Sequence, residues 1–291
     1  MPALTGTTPV AWTYYPGLAL LETIEIDIGS QDFDTHTGEW MYIWSELTIP
    51  HDKRMAYLRM IGQRPELVNL NVSIPAATLI VPLQFWFCRR PSLALQLASL
   101  DFAEVRFKIK IRALSQMVIN FNGLTNPSTY HLDGNLYVDY VHLDVPEHNS
   151  LIDNNIELVY ENLQYYQYSS SGPSSRQILQ FSHPTKFVAW TNQKQSNFTG
   201  NRLFDFTDSG TNVQNYWTGN NPLNTAVFNM YASSIDQPRS AMYYNQYVPY
   251  EKFTRGPVDG INVFSWALVP EDPQPTGTLN FSKVDQAYSF N

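Results

Sequence analysis

Residues Val105, Phe107, Ile109 and Ile111 alternate one for one with Arg106, Lys108, Lys110 and Arg112. A helix cannot separate two such sets, whereas a strand points successive side chains to opposite faces. The segment therefore reads as a β-strand with one apolar and one basic face. Thr23-Ile24-Glu25-Ile26-Asp27-Ile28 alternates in the same way, and Gly29-Ser30 ends it. Half-apolar strands are stable only when other elements cover them, so these two segments already commit the chain to a layered, sheet-based core.

The rest of the sequence extends that pattern. Thr78 to Phe87 is a β-prone, largely apolar run, expected as a strand buried on both faces. Leu136 to Val145, closed by Pro146, and the tyrosine-rich Leu158 to Tyr168 are expected as further strands. So are Ile178 to Phe181, Lys186 to Trp190, Ala226 to Tyr231 and Ile261 to Leu268. Trp40, Ile43, Trp44 and Leu47 instead fall at helical spacing, which predicts a short amphipathic helix over Glu39 to Leu47 ended by Pro50. Thr191 to Thr225 is rich in Asn, Thr, Gly and Ser and too long for an ordinary connection, so it is expected as an exposed, outward-facing loop. The fold class is all-β, of sandwich or jelly-roll type with short helices in its loops.

Composition narrows the function. The chain has 291 residues, enough for one large all-β domain or two ordinary ones. Its net charge of -8 argues against a nucleic-acid surface, which needs clustered Lys and Arg. The one basic stripe, Arg106 to Arg112, reads as a solvated strand face. A single cysteine, Cys88, forms no intramolecular disulfide and fits a reducing compartment. Following Gln84-Phe85-Trp86-Phe87, it reads as a small buried hydrophobe rather than a nucleophile. Met1 to Tyr15 has no signal-peptide pattern. Leu79 to Cys88 contains Pro82 and Gln84 and falls well short of the ~20 residues of a membrane span.

Sites of chemistry are not legible. A metal-binding jelly roll needs a His-x-His pair, a Glu and a distant His, but His36, His51, His131, His142, His148 and His183 supply no such pair. Asp34, His36 and Glu39, beside the start of the predicted helix, read as helix-capping residues rather than ligands. Asp205 and Asp208 read as turn formers rather than calcium ligands. There is no phosphate loop and no nucleophile elbow. The triplets starting at Asn71, Asn197 and Asn280 match the N-glycosylation pattern and read as chance. No catalytic, cofactor-binding or metal residue is assigned, and no enzymatic activity is expected. A carbohydrate-binding, lectin-like jelly roll is the alternative, since aromatic-rich loops can stack on sugars.

Three segments resemble one viral family. The first is Gly17 to Glu22, the Ile24 strand, and Asp34-Thr35-His36-Thr37-Gly38-Glu39-Trp40 leading into Ile43-Trp44-Ser45-Glu46-Leu47-Thr48. The second is Val81-Pro82-Leu83-Gln84-Phe85-Trp86-Phe87-Cys88-Arg89-Arg90-Pro91, with Leu93 to Leu95 and Glu104-Val105 following. The third is Gly260 to Leu268, then Pro270-Glu271 and Gln274 to Asp285. Weaker matches are Tyr137 to Asp144 and Phe181-Ser182-His183-Pro184. In this order they resemble the major capsid proteins of nucleocytoplasmic large DNA viruses, such as algal viruses and iridoviruses.

The resemblance implies a double jelly roll, with residues 1–148 forming the first and 149–291 the second. The division falls near His148 to Asn155, between Leu136 to Val145 as the last strand of one and Leu158 to Tyr168 as the first of the other. The linker-like Ser169 to Ser175 then becomes a hairpin loop. Family members are longer at both ends, so early strands of the first jelly roll and final strands of the second are expected to be missing. Trp40, Trp44, Phe85, Trp86 and Trp266 are expected as core or subunit-contact anchors. The implied partners are further copies of the chain, as pseudo-hexagonal homotrimers tiling an icosahedral shell, and minor capsid proteins. The implied setting is a virion capsid assembled in the host cytoplasm around an internal membrane that the chain does not span, with no cofactor and no direct nucleic-acid contact.

Overall fold

The computed structural model describes the chain except residues 101–102, 154–157, 171, 173, 210–218, 231–232, 235–236, 285–286 and 290–291. The chain divides into two compact units, Met1–Met41 with Leu58–Leu163, and Tyr42–Tyr57 with Gln164–Asn291.

In the first unit, β1 (Leu4–Trp12), β2 (Leu21–Ile28), β3 (Gln31–Thr37), β4 (Asn71–Ile74), β5 (Val105–Ile111) and β6 (Val118–Ile119) form two antiparallel sheets. Their orders are β4-β1-β6 and β3-β2-β5. The two alternating segments of the sequence are thus neighbours, with Ile24 opposite Ile109 and Ile26 opposite Phe107. Ile24 and Ile26 are fully buried. Gly29 (φ 60°) and Ser30 (φ 67°) make the two-residue turn into β3. Positive φ at both positions matches the right-handed twist of the strands they join.

Helix α1 (Gly38–Thr48) follows β3, and α2 (His51–Met60) begins just past Pro50. The Thr37 hydroxyl accepts a hydrogen bond from the Trp40 N–H at 3.1 Å, satisfying an orphan donor of the first turn. Of the predicted apolar face, Ile43, Trp44 and Leu47 are buried and Trp40 is partly so; Met41 and Tyr42, outside that face, are buried as well.

The second unit holds shorter strands: β7 (Gln177–Ile178), β8 (Pro184–Thr185), β9 (Phe187–Thr191), β10 (Thr225–Ala226), β11 (Phe228–Met230), β12 (Ser233–Ser234), β13 (Arg239–Ser240), β14 (Ile261–Ser265), β15 (Leu279–Asn280) and β16 (Ala287–Ser289). They form a sheet of order β12-β11-β16-β7 and the antiparallel pairs β9–β14, β8–β15 and β10–β13. β9 and β14 pair without a bulge from Ile261 opposite Thr191 to Ser265 opposite Phe187. The core gathers Leu179, Val188, Phe228, Tyr244 and Phe281, with Trp190, Phe264 and Trp266 packed against it. Its rings meet edge-on or tilted, as aromatic quadrupoles favour: Trp190 and Tyr244 at 5.2 Å, Phe228 and Phe264 at 4.7 Å, Trp266 and Phe281 at 5.4 Å.

Several expectations are corrected. Thr78 to Phe87 forms no strand. Pro82 lacks an N–H, and the run is held by its side chains, with Val81 against Gly17, Leu79 against Gly62, and Phe85 and Trp86 buried. Leu136 to Val145 forms no strand either; it joins no ladder among the described residues, and a short helix (Val145–Asp153) follows. Leu158 to Tyr168 is likewise outside every described ladder, and its second half bonds through side chains instead. Gln164 Nε2 donates to the Ser182 carbonyl (3.1 Å), and the Tyr166 and Tyr168 hydroxyls donate to the Gln180 and Ile178 carbonyls (2.7 and 2.5 Å). Residues 164–168 thereby run antiparallel to 178–182 around the serine-rich stretch. Asn154, Asn155, Tyr231 and Asp285, which belong to predicted segments, lie outside the described residues.

Thr191 to Thr225 is not a simple exposed loop. It contains a helix at Gln195–Thr199 and buries Leu203, Phe204 and Phe206; residues 210–218 lie outside the described part. Its polar residues fold inward because they satisfy one another, as described next.

Candidate assembly surface and its buried polar clusters

Asp205 and Arg202 form the centre of a buried network in the second unit. Asp205 Oδ1 accepts from the Thr207 N–H (3.1 Å) and hydroxyl (2.6 Å), and Oδ2 accepts from the Ser209 hydroxyl (2.6 Å) and from Arg202. Asp205 closes a turn through the Thr207 N–H, as expected; Asp208 instead reaches a distant stretch of chain, its Oδ1 accepting the Asn220 N–H at 2.6 Å. Asn197 is 1% exposed and donates through Nδ2 to the carbonyls of Asp205 (3.1 Å) and Thr207 (3.4 Å). A folded chain therefore offers no glycan acceptor there. Beside this network lies a small recess of about 150 Å³ lined by Tyr42, Phe204, Asp205, Thr207, Gly219, Val258 and Asp259.

Glu46, on α1 and 3% exposed, faces Arg255 (2.7 Å) and Arg54 (3.3 Å). Arg255 also donates from Nη1 to the Ile49 carbonyl (3.2 Å), from Nη2 to that of Ser45 (3.4 Å), and from its backbone N–H to that of Leu47 (2.9 Å). One arginine thus satisfies the orphan carbonyls at the end of α1 and neutralises its buried carboxylate.

In the first unit, Asp34 and His36 do not cap the helix. Both are buried on β3, with His36 Nε2 2.9 Å from Asp34 Oδ2 and the His36 ring stacked on Phe85 at 4.3 Å. Asp34 Oδ1 accepts the N–H groups of Thr35 and Leu163, each at 2.9 Å. Thr37 takes the capping role; only Glu39 lies in the first turn, where it pairs with Arg112 at 2.8 Å. Arg112 is correspondingly buried, donates to the Ala19 carbonyl (2.9 Å), and departs from the solvated stripe expected of it.

The remaining stripe residues face carboxylates. Lys108 Nζ lies 2.7 Å from Asp27, 3.4 Å from Asp32 and 3.6 Å from Glu25, and Lys110 lies 2.7 Å from Glu22. The hydrogen bond from Lys108 holds the Asp27 carboxyl below the usual carboxylate range and raises Lys108 in return. Glu25, Asp27 and Asp32 could bring three oxygens together around a cation, but the ammonium of Lys108 is already among them. Cys88 is exposed rather than buried, yet desolvation by its neighbours pushes its thiol up to about 11. The thiolate that would act as a nucleophile is scarce near neutrality.

What reaches the surface is apolar. Leu136, Tyr137, Val138, Tyr140, Val141 and Leu143 are exposed, Tyr137 to 89%, as are Leu158, Val159, Tyr165 and Tyr168. Surfaces of this kind mark interaction sites. Of the five aromatics singled out from sequence, Trp44, Phe85 and Trp86 are buried, and Trp40 and Trp266 are partly so. No helix among the described residues is long and apolar enough to cross a membrane.

Aromatic cores, buried networks of charged and polar side chains, and exposed apolar stretches are features of a structural building block. Residues 1–144 match the family model of the major capsid protein N-terminus, and residues 147–288 that of the large eukaryotic DNA virus major capsid protein. The major capsid protein of Pyramimonas orientalis virus is 31% identical over 94% of this chain and 69% of its own length. That of Paramecium bursaria Chlorella virus 1 is 30% identical over 94% and 67%. A PBCV-1 VP54 structure, fitted into a reconstruction of the virophage Sputnik, superposes with a TM-score of 0.81 at 28% identity, covering 99% of this chain and 74% of that one. The chain belongs to the major capsid protein family of large eukaryotic DNA viruses. It is a structural protein of the viral capsid, and the family is not enzymatic.

Proposed function

We propose that the chain is the repeating tile of an icosahedral shell, built as two jelly rolls over residues 1–148 and 149–291. In this reading it assembles into pseudo-hexagonal homotrimers in the host cytoplasm. The carrying observation is the succession of the two family matches, 1–144 and 147–288, over nearly the whole chain. The exposed apolar side chains around Leu136–Val145 and Leu158–Tyr168 support it, because a shell subunit must keep surface to bury against neighbours. Minor capsid proteins and an internal membrane are the partners beyond the trimer. The deciding measurement is the mass of the purified protein by light scattering, followed by electron microscopy of the particles. A trimer of hexagonal outline is the expected result; a monomer that binds glycans would favour the lectin reading.

A further inference from the structure

The last stretch of the first unit, residues 158–163, is held in an unusual way. Burial does not fix it, since Leu158 is 47%, Val159 63% and Tyr160 42% exposed. Its attachments among the described residues include specific polar and ring contacts. The Leu163 N–H donates to Asp34 Oδ1 (2.9 Å), Glu161 pairs with Arg89 (2.7 Å), and the Tyr160 ring lies against Phe33 (5.5 Å) and Trp86 (6.2 Å). The buried Asp34 carboxylate is in turn oriented by His36, whose ring is fixed by its stack on Phe85. Immediately after Leu163 the chain enters the second unit.

We propose that residues 158–163 are a strap closed by a latch, with Asp34 as the latch and His36 as its positioning residue. With the latch closed, Tyr160 covers the aromatic surface of Phe33 and Trp86; with it open, that surface is released without disturbing the β3-β2-β5 sheet. The reason is local. A segment with little buried apolar area opens at a free energy set by its polar contacts, well below that of the sheet beneath. A charged hydrogen bond to a buried carboxylate is the strongest of those contacts.

Hydrogen exchange read by mass spectrometry on the full chain tests this. In Asp34→Asn, peptides covering 158–163 should exchange about tenfold faster or more, the loss of one charge-assisted hydrogen bond, while those covering β2 and β5 keep their rates. His36→Ala should do the same, whereas His36→Gln, which can still donate to Asp34, should restore slow exchange. Glu161→Gln removes the charge from a part-buried pair outside the core, so it should speed the strap modestly even if the Asp34 variant fails to fold. Unchanged strap exchange in Asp34→Asn or Glu161→Gln would overturn the proposal. So would strap and sheet accelerating together, or equal behaviour of the two His36 variants.

Discussion

At the scale of single residues, the buried charged groups among the described residues face a partner of opposite charge or a polar neighbour, and Asp34, Arg112 and Asp205 also hold backbone. Arg255 and Glu46 are the sharpest case. Arg255→Met leaves the buried Glu46 only the more distant Arg54, and Glu46→Leu leaves Arg255 without its carboxylate, so either should destabilise the protein in urea melts by about 1–3 kcal/mol, and the double variant by less than the sum. Cys88 gives a prediction in pH. Its thiol titrates at about 11 rather than the usual value, so alkylation by iodoacetamide should be slow at neutrality and rise tenfold per pH unit until near 11. Lys108→Met should return the Asp27 carboxyl towards the ordinary range, visible in an NMR titration. The Asp27–Lys108 contact contributes fully only above the ordinary carboxylate range. It weakens as the pH falls through the lowered value of Asp27.

At the scale of elements, sequence periodicity and structure agree where two partners are both present. β2 and α1 were legible because alternation or helical spacing coincides with a covered face: Ile24 and Ile26 beneath their sheet, Trp44 and Leu47 within their core. β5 was legible from its alternation and its pairing with β2 alone, since Ile109 and Ile111 stay exposed. Leu136 to Val145 has an equally apolar pattern and no ladder. An apolar pattern records a need for cover, whereas a strand also needs a neighbour for its N–H and C=O groups, and that neighbour is nowhere in its own sequence. The network of Arg202, Asn197 and Asp205 was illegible for the opposite reason. Polar residues in a Gly- and Asn-rich stretch look solvated, and only the fold reveals that they bond one another. Two substitutions test the elements that did form. Thr37→Ala removes the cap of α1 and should lower stability by about 1 kcal/mol, and Phe85→Ala, at a fully buried site, by about 3–5 kcal/mol.

At the scale of the whole molecule, the exposed apolar strips set what assembly must accomplish. Six large apolar side chains between Leu136 and Leu143 stand in water, and burying each contributes on the order of 2 kcal/mol. Comparing hydrogen exchange of free subunits with that of assembled shells should show strong protection appearing over 136–145 and 158–168. Protection confined to other surfaces would place the subunit contacts elsewhere.

The Arg255 clamp on α1 has a consequence in time. Ser45 and Arg255 are 210 positions apart, so the helix emerges from the ribosome long before the arginine that seals its end. At a synthesis rate of ~5–20 residues per second, the end of α1 and Glu46 wait roughly 10–40 s for Arg255. During that interval the nascent chain offers chaperones an amphipathic helix. Slowing translation between residues 48 and 255 should therefore lower the yield of soluble subunit more than slowing it before residue 38.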